Sequence, residues 1–313
     1  MCLYPKLIDN PKYKATKKNG GIIPPINDIR VTKVPIGCGN CIECRKQKSR
    51  EWQVRLNEEI RNNRNGKFVT LTFEEGELQK LKKEVIKTIT PEELIENEIA
   101  KLGTRRFLER WRKKYKKSVK HWLITELGHN NTERIHIHGI IWTNEIEDIK
   151  KIWTYGHTYI GDYVNERTVN YIVKYVTKID TDHKGYKAKI LTSAGIGSNY
   201  IKRIDSNINK YKDKNTKEYY RTRTGLKLAL PIYYRNKLYT EEEREKLWIE
   251  KLDKEERYIL GEKISIKENE IQYEETLKRA QQKNKRLGFG DNSETWQMAH
   301  YKRMRNILKK NKN

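Results

Sequence analysis

The sequence predicts an α+β fold, an antiparallel sheet backed by helices, with a cysteine-rich N-terminal segment and a helical C-terminal region. Three observations carry this expectation. Apolar and polar residues alternate, with many β-branched, at 67–73, 122–128 and 134–142, the period of a strand. Stripes of helical period lie between and after them, most clearly at 166–179. In order these elements read β-α-β-β-α-β, which makes an antiparallel sheet with helices packed on it.

Composition bounds the function. With 313 residues the chain suffices for one large domain or two smaller ones. Hydrophobic and charged residues each make up 35%, so a core over part of the length and solvated helices around it are expected. The 67 Lys and Arg outnumber the 42 Asp and Glu, giving a formal charge of +25. Such an excess concentrates polyanions, and nucleic acid is the expected partner. No stretch approaches the ~18 apolar residues of a membrane helix, and no apolar signal core opens the chain. A cytosolic protein without a membrane partner is expected. Three segments are expected: 1–62, a cysteine-rich segment and basic helix packed on the core; 63–235, the core with a Gly-rich loop and hairpin; and 236–313, basic and helical.

Residues 1–36 contain Pro5, Pro11, Pro24, Pro25 and Pro35, which predicts irregular structure with one short strand near 31–34. Cys38, Cys41 and Cys44 follow as two successive C-x2-C steps. A tight turn brings such sulfurs to one point, and Cys2 supplies the fourth thiolate that zinc requires. Cys2, Cys38, Cys41 and Cys44 are therefore candidate ligands of a structural Zn2+. Reduced thiols on a loop leading into a helix are the alternative reading, and an iron–sulfur cluster also fits the spacing. In a cytosolic chain they are not a secreted disulfide framework.

Trp52, Leu56 and Ile60 predict a helix over 45–62, with Arg45, Lys46, Lys48, Arg50 and Arg55 crowding its first half. A strand is expected at 67–73. Thr90-Pro91-Glu92-Glu93 is a capping box with Pro at the first helical position. It opens a helical region to about 117, with a break at Gly103 allowed. Phe107, Leu108, Trp111 and Tyr115 form its buried stripe. Arg105, Arg106, Arg110, Arg112 and Lys113 on the remaining surface are candidate contacts to a phosphate backbone.

In 134–142, His136 and His138 share one parity, so both imidazoles project from one sheet face. Two neutral imidazoles so placed suit a divalent ion, although partly buried structural histidines would give the same pattern. A polar turn at 129–133 joins this strand to 122–128 as a hairpin. Glu126, on the paired strand, can complete a facial metal site; His121 and His129 are rival third ligands. A short helix at 145–153 and a strand at 157–163 precede the helix at 166–179. Tyr171, Tyr175 and Lys178 stand there at i, i+4 and i+7, two phenols and an ammonium on one side. Alone, such a pair reads as amphipathic packing. A Gly-rich loop at 192–200, a hairpin at 217–234 about Arg223-Thr224-Gly225, and a capped helix at 241–259 follow. Leu277, Trp296, Met298 and Met304 predict that the polar, helical remainder docks. There are no internal repeats.

Taken together over about 67–180, these elements resemble the HUH endonucleases, named for His-hydrophobic-His, whose core is ferredoxin- or RRM-like. The chain is more similar still to replication initiation proteins of microviruses, of the gokushovirus type, through about residue 235. The residues that carry the likeness are Met1-Cys2-Leu3-Tyr4-Pro5, the cysteine triplet with Arg45 and Trp52, 68–73, His136-Ile137-His138, 171–178 and Gly195-Ile196-Gly197. The resemblance implies that His136, His138 and Glu126 hold Mg2+ or Mn2+. It implies that Tyr171 and Tyr175 are nucleophiles, in an order the sequence leaves open. Lys178 takes the family lysine's position; Lys174, placed by periodicity on a different face, is the alternative and a candidate DNA contact. The implied activity is nicking and joining of single-stranded DNA at a phage origin through a 5′-phosphotyrosine, starting rolling-circle replication. Host helicase and polymerase would be partners, and the bacterial host cytoplasm the location. Two other classes stay open: a non-enzymatic, zinc-stabilised DNA-binding protein, and a relaxase or transposase of the same fold.

Overall fold

The Pro-rich start of the chain forms one short strand pair. In the computed structural model, which describes residues 1–90, 94–128, 133–180, 182–183, 185–291 and 294–309, β1 (Lys6–Asp9) pairs antiparallel with β2 (Lys33–Ile36). The strand expected at 31–34 thus begins two residues later, because Ile29–Thr32 is a 3-10 turn capped by Asp28. Next, α1 (Ile42–Asn62) buries Val54, Leu56 and Ile60.

The chain divides into two compact units, Met1–Lys48 with Asp205–Asn313, and Ser49–Ile204. The three successive segments expected from composition are not the division seen. The first 48 residues belong with the C-terminal region, and the boundaries fall at 48/49 and 204/205.

The unit Ser49–Ile204 holds the predicted sheet. Its elements are β3 (Gly66–Leu71), α2 (Glu75–Val85), α3 (Ile95–Tyr115), β4 (Lys120–Leu127), β5 (Ile135–Trp142), α4 (Ile146–Ile152), β6 (Thr158–Ile160), α5 (Glu166–Thr177) and β7 (Ile190–Thr192). The strands order β6-β3-β5-β4-β7, antiparallel at every pairing. The histidine strand β5 is therefore central. Gly139 lets it sit there: a Cβ at this position would lie 2.1 Å from the Trp122 carbonyl oxygen on β4.

Alternation gives the sheet two faces. One carries Val69, Leu71, Leu123, Leu127, Ile135, Ile137 and Ile141, covered by α2, α3 and α4 through Leu81, Phe107, Trp111 and Ile149. The other carries Trp122, Ile124, Ile140 and Trp142, covered by α1 and α5 through Leu56, Val169, Ile172 and Val176. The helix α3 runs unbroken through Gly103, whose missing side chain admits the Phe73 ring to 3.0 Å of its would-be Cβ. Of the capping box predicted before it, Pro91, Glu92 and Glu93 lie outside the described residues.

In the other unit, β8 (Tyr219–Arg221) and β9 (Lys227–Ala229) form the hairpin expected about Arg223-Thr224-Gly225. They are followed by α6 (Ile232–Leu238) and α7 (Glu241–Lys254). Thr240 and Glu243 cap α7 reciprocally as predicted. The expected helix to 259 ends at Lys254, since Glu255 turns left-handed at φ 48°. The chain then forms β10 (Glu256–Ile259) and β11 (Glu262–Ser265), joined at Leu260 and Gly261, both at positive φ. Two such residues make the tight turn whose twist matches a hairpin. Finally α8 (Glu270–Arg286) and α9 (Met298–Asn306) complete the chain. Leu277 is fully buried, and Trp296 and Met298 pack partly buried against its cluster, so this region docks as expected.

Candidate active site

Register decides which candidates can meet. In an antiparallel pair, opposed residues share a face. Glu126 opposes His136, Ile124 opposes His138, and Thr70 of β3 opposes His138 from the other side. Glu126, His136, His138 and Thr70 therefore share the face that α5 covers. His121 is three strand positions away in pairing and on the opposite parity, opposed to Ile141. Its ring is buried against the Val119 carbonyl and the Ser193 hydroxyl, each 3.0 Å from Nδ1. It is no partner of the two histidines. The other rival, His129, lies outside the described residues.

The side chains form one connected cluster. The His136 and His138 rings stand 6.4 Å apart and 19° from parallel. Glu126 Oε2 is 2.8 Å from His138 Nε2, and its Oε1 accepts from the Lys178 ammonium. Thr70 Oγ1 lies 3.0 Å from His138 Nδ1, the ring's other nitrogen. With Nε2 donating to the carboxylate, a neutral ring accepts the Thr70 proton at Nδ1. A glycine at 128 leaves room for His136, whose Cε1 would be 3.0 Å from a Cβ there.

Charge states follow from these contacts. Burial alone would raise the Glu126 carboxyl, but hydrogen bonds from His138 and Lys178 outweigh it and hold it at about 2. Burial first, and the neighbouring His138 second, push His136 below an ordinary imidazole. At neutral pH the carboxylate is ionised and His136 is uncharged, which is the state metal ligation requires. Two imidazoles and a carboxylate on one face suit a divalent ion by donor chemistry. The cluster whose ligand atoms already converge on a point, among the described residues, is a different one, Cys2, Cys38, Cys41 and Cys44.

The helix α5 carries the phenols. Asn165 and Thr168 cap its start reciprocally, fixing its entry onto the sheet. Val169, Ile172, Val173 and Val176 face the core. Tyr175, 6% exposed, lies flat on His138 with ring centroids 5.0 Å apart. Tyr171, one turn earlier, is 44% exposed, and its hydroxyl is 2.8 Å from that of Tyr175. Burial, then the Tyr171 hydrogen bond and the Glu126 charge, push the Tyr175 phenol well above its ordinary value.

The two lysines exchange the places expected of them. Lys178 caps the C-terminus of α5 and reaches Glu126, so it belongs to the cluster as a charge partner of the carboxylate. Lys174, expected on a different face from the tyrosines, has its ammonium 3.9 Å from the Tyr171 ring centroid and 5.3 Å from that of Tyr175. Its flexible stem bends over the rings, which periodicity at the Cα cannot register.

The basic set on α3 is not brought to this site. That helix covers the opposite sheet face. Arg106 pairs with Glu84, and Arg105 lies 3.6 Å from Glu109. Arg110 donates to Ile152 O, Thr154 and Tyr155, and Arg112 to Ser118. Lys113 is exposed. What sequence reasoning missed lies beside Tyr171: an open groove lined by Phe68, Thr70, Tyr159, Tyr163, Arg167 and Tyr171. Phe68 packs edge-on to both Tyr171 and Tyr159. The signal was there in the parity of Phe68 and Thr70, but its meaning needed the β3–β5 register.

Residues 66–180 match the model of the ORF2-type replication-associated protein family. That span runs from the start of β3 to just past Lys178 and contains every residue of the histidine–tyrosine cluster. No curated protein matches the chain. No solved structure matches it. Among the described residues, no helix is long and apolar enough to cross a membrane.

Proposed function

We propose that this protein initiates rolling-circle replication of a phage genome by nicking and rejoining single-stranded DNA at the origin. The likeness of 66–180 to a replication-associated family supports a replication initiator. The observation that carries the chemistry is Tyr171, an exposed phenol hydrogen-bonded to a buried one beside two histidines and an ionised carboxylate.

A divalent ion, Mg2+ or Mn2+, held by His136, His138 and Glu126 supplies charge that polarises the scissile phosphate. The protein's own residues do the rest. Tyr171 is the first nucleophile, because its hydroxyl faces solvent whereas Tyr175 is stacked on His138. The ammonium of Lys174 over its ring favours the phenolate. Attack forms a bond from the Tyr171 oxygen to phosphorus and breaks the bond to the 3′ oxygen, which takes up a proton. The products are a 5′-phosphotyrosine and a free 3′-OH that primes host polymerase. Bond energy is kept in the phosphotyrosine, so a later 3′-OH rejoins the strand without ATP. Lys178 keeps Glu126 ionised and oriented throughout. Tyr175, one turn away, serves the second cut at the regenerated origin. The groove of Phe68, Tyr159 and Tyr163 offers stacking surfaces for unpaired bases. The reaction would take place in the cytoplasm of the bacterial host, with host helicase and polymerase extending the primer.

The test is incubation of the protein with single-stranded origin DNA and Mn2+, resolved on a denaturing gel. A covalent protein–DNA band lost with Tyr171→Phe is expected. Salt-sensitive binding without any band, under Mg2+ or Mn2+, would replace this reading by that of a non-enzymatic binder. A band formed only on plasmid or transposon ends would point to a relaxase or transposase.

A further inference from the structure

We propose that Cys2, Cys38, Cys41 and Cys44 hold one zinc ion as four thiolates, a structural centre distinct from the histidine–tyrosine site. The four Sγ atoms all lie within 4.8 Å of one another. None is in a disulfide. A tetrahedron with Zn–S bonds of about 2.3 Å has edges of about 3.8 Å, and Cys41 Sγ stands 4.0 Å from Cys2 Sγ. That spacing suits a single ion. A multi-iron cluster binds its thiolates to separate irons and spreads them further apart.

The surroundings are built for negatively charged sulfur. Cys2 Sγ accepts from the Tyr4 and Cys38 amides at 3.3 and 3.2 Å. Cys38 Sγ accepts from the Cys41 amide at 3.3 Å, and Cys41 Sγ from the Leu3 amide at 3.5 Å. Amide hydrogens aimed at sulfur offset the two negative charges that four thiolates leave on a divalent ion. Cys44 stands in the first turn of α1, where the helix dipole favours an anion. Gly37 makes space beside it: a Cβ there would sit 3.0 Å from Cys44 Sγ.

The centre also has structural work within its own unit. It joins three separate pieces of chain, the N-terminus, the 38–41 turn and the start of α1. All four cysteines belong to or pack on one cluster with Leu3, Tyr4, Ile264, Tyr273 and Leu277. Buried Asn284 of α8 accepts from the Ile42 amide at 2.8 Å, holding the same helix start from the other side. Gln281 donates to the Leu3 carbonyl at 2.7 Å. Hydrogen bonds from the C-terminal part of the chain hold the two strands of the knuckle in place, and a metal would lock their sulfurs together.

The full-length protein, purified under reducing conditions from zinc-supplemented medium, is analysed for metal by inductively coupled plasma mass spectrometry. One zinc per chain is expected, lost on chelation together with a fall in melting temperature. Co2+ added to the chelated protein is expected to give the visible d–d bands of a tetrahedral ion and a thiolate charge-transfer band. Because Cys→Ser variants can fail to fold, thiol counting on the folded wild type is the second readout. Four thiols should resist a disulfide reagent until chelator is added. A folded chain without stoichiometric metal, whose four thiols react at once, would overturn the proposal. So would an octahedral cobalt spectrum, or a red chain carrying iron in place of zinc. None of these readouts involves DNA cleavage, so they stand whatever the outcome for Tyr171.

Discussion

Tyr175 lies on His138 with the two rings 4° from parallel and their centroids 5.0 Å apart. The stacking fixes which phenol can move. Tyr175 is held against the sheet, while Tyr171, bonded to it through one hydroxyl, keeps its oxygen at the surface. The helix thus presents one phenol ready to meet a strand of DNA and another that must first be released. Tyr175→Phe should leave the first cleavage within about tenfold of the parent, since it removes one hydrogen bond of Tyr171, about 1 kcal/mol. Strand transfer, which needs a second attack, should be lost. Single-turnover cleavage and joining of a labelled origin oligonucleotide separate the two.

Lys174 and Arg106 make a second comparison. Lys174 overhangs Tyr171, whereas Arg106 is paired with Glu84 on a helix covering the other sheet face. Lys174→Ala should slow covalent adduct formation by about tenfold or more, the scale of a cation–π contact of 1–2 kcal/mol. Arg106→Ala should leave it unchanged. Adduct formation rates at fixed salt decide between them.

The groove beside Tyr171 predicts stacking. Tyr159 and Tyr163 are 55% and 72% exposed along it. Replacing each by Ala should weaken single-stranded DNA binding by about 1–3 kcal/mol per base lost from the stack. Fluorescence anisotropy with a short oligonucleotide measures this, and double-stranded DNA of the same length serves as the control.

Much of this site is legible in the order of the residues. Strict alternation places His136 and His138 on one face, and helical spacing places Tyr171 and Tyr175 together. The strands of the central sheet are recognisable because β-branched residues fill them. What escapes is short or depends on pairing. The helix α2 starts at Glu74 without a side-chain cap, so nothing in Glu74-Glu75-Gly76 announces it. The strand β7 has three residues and exists by pairing with β4. The β10–β11 hairpin turns at Leu260-Gly261, and leucine at positive φ carries no turn signature. His121 stays a rival ligand until the β4–β5 register puts it on the far face. Where Lys174 reaches is a property of a long flexible stem, and spacing says only where the stem begins.

The close approach at Gly139 predicts a stability effect. A methyl group there meets the backbone oxygen of Trp122, which the paired sheet cannot move aside. Gly139→Ala should cost about 3 kcal/mol or prevent folding, at the upper end for overpacking. Gly76→Ala, with nothing within 4 Å, is the control and should fold normally. Urea denaturation followed by tryptophan fluorescence compares them.

Buried His121 predicts a pH dependence. Burial, partly offset by the Val119 carbonyl, lowers its proton affinity in the folded protein. The unfolded chain takes up that proton near pH 6.5, and the folded chain only at lower pH. Below about pH 6.5 the unfolded state therefore binds more protons, and stability falls as pH drops. His121→Asn should flatten this loss between about pH 7.5 and 5.5 in urea midpoints, whatever it does to stability at the upper end of that range.

The measurement that tests the central claim most directly is mass spectrometry of the covalent adduct after proteolysis. The protein is incubated with origin single-stranded DNA and Mn2+, nuclease-trimmed, and digested. The account predicts a nucleotide attached through its 5′-phosphate to the peptide containing Tyr171, moving to Tyr175 only when Tyr171 is Phe or after a first round of transfer. A nucleotide on any residue outside α5, or cleavage that leaves no protein-bound nucleotide, would contradict it.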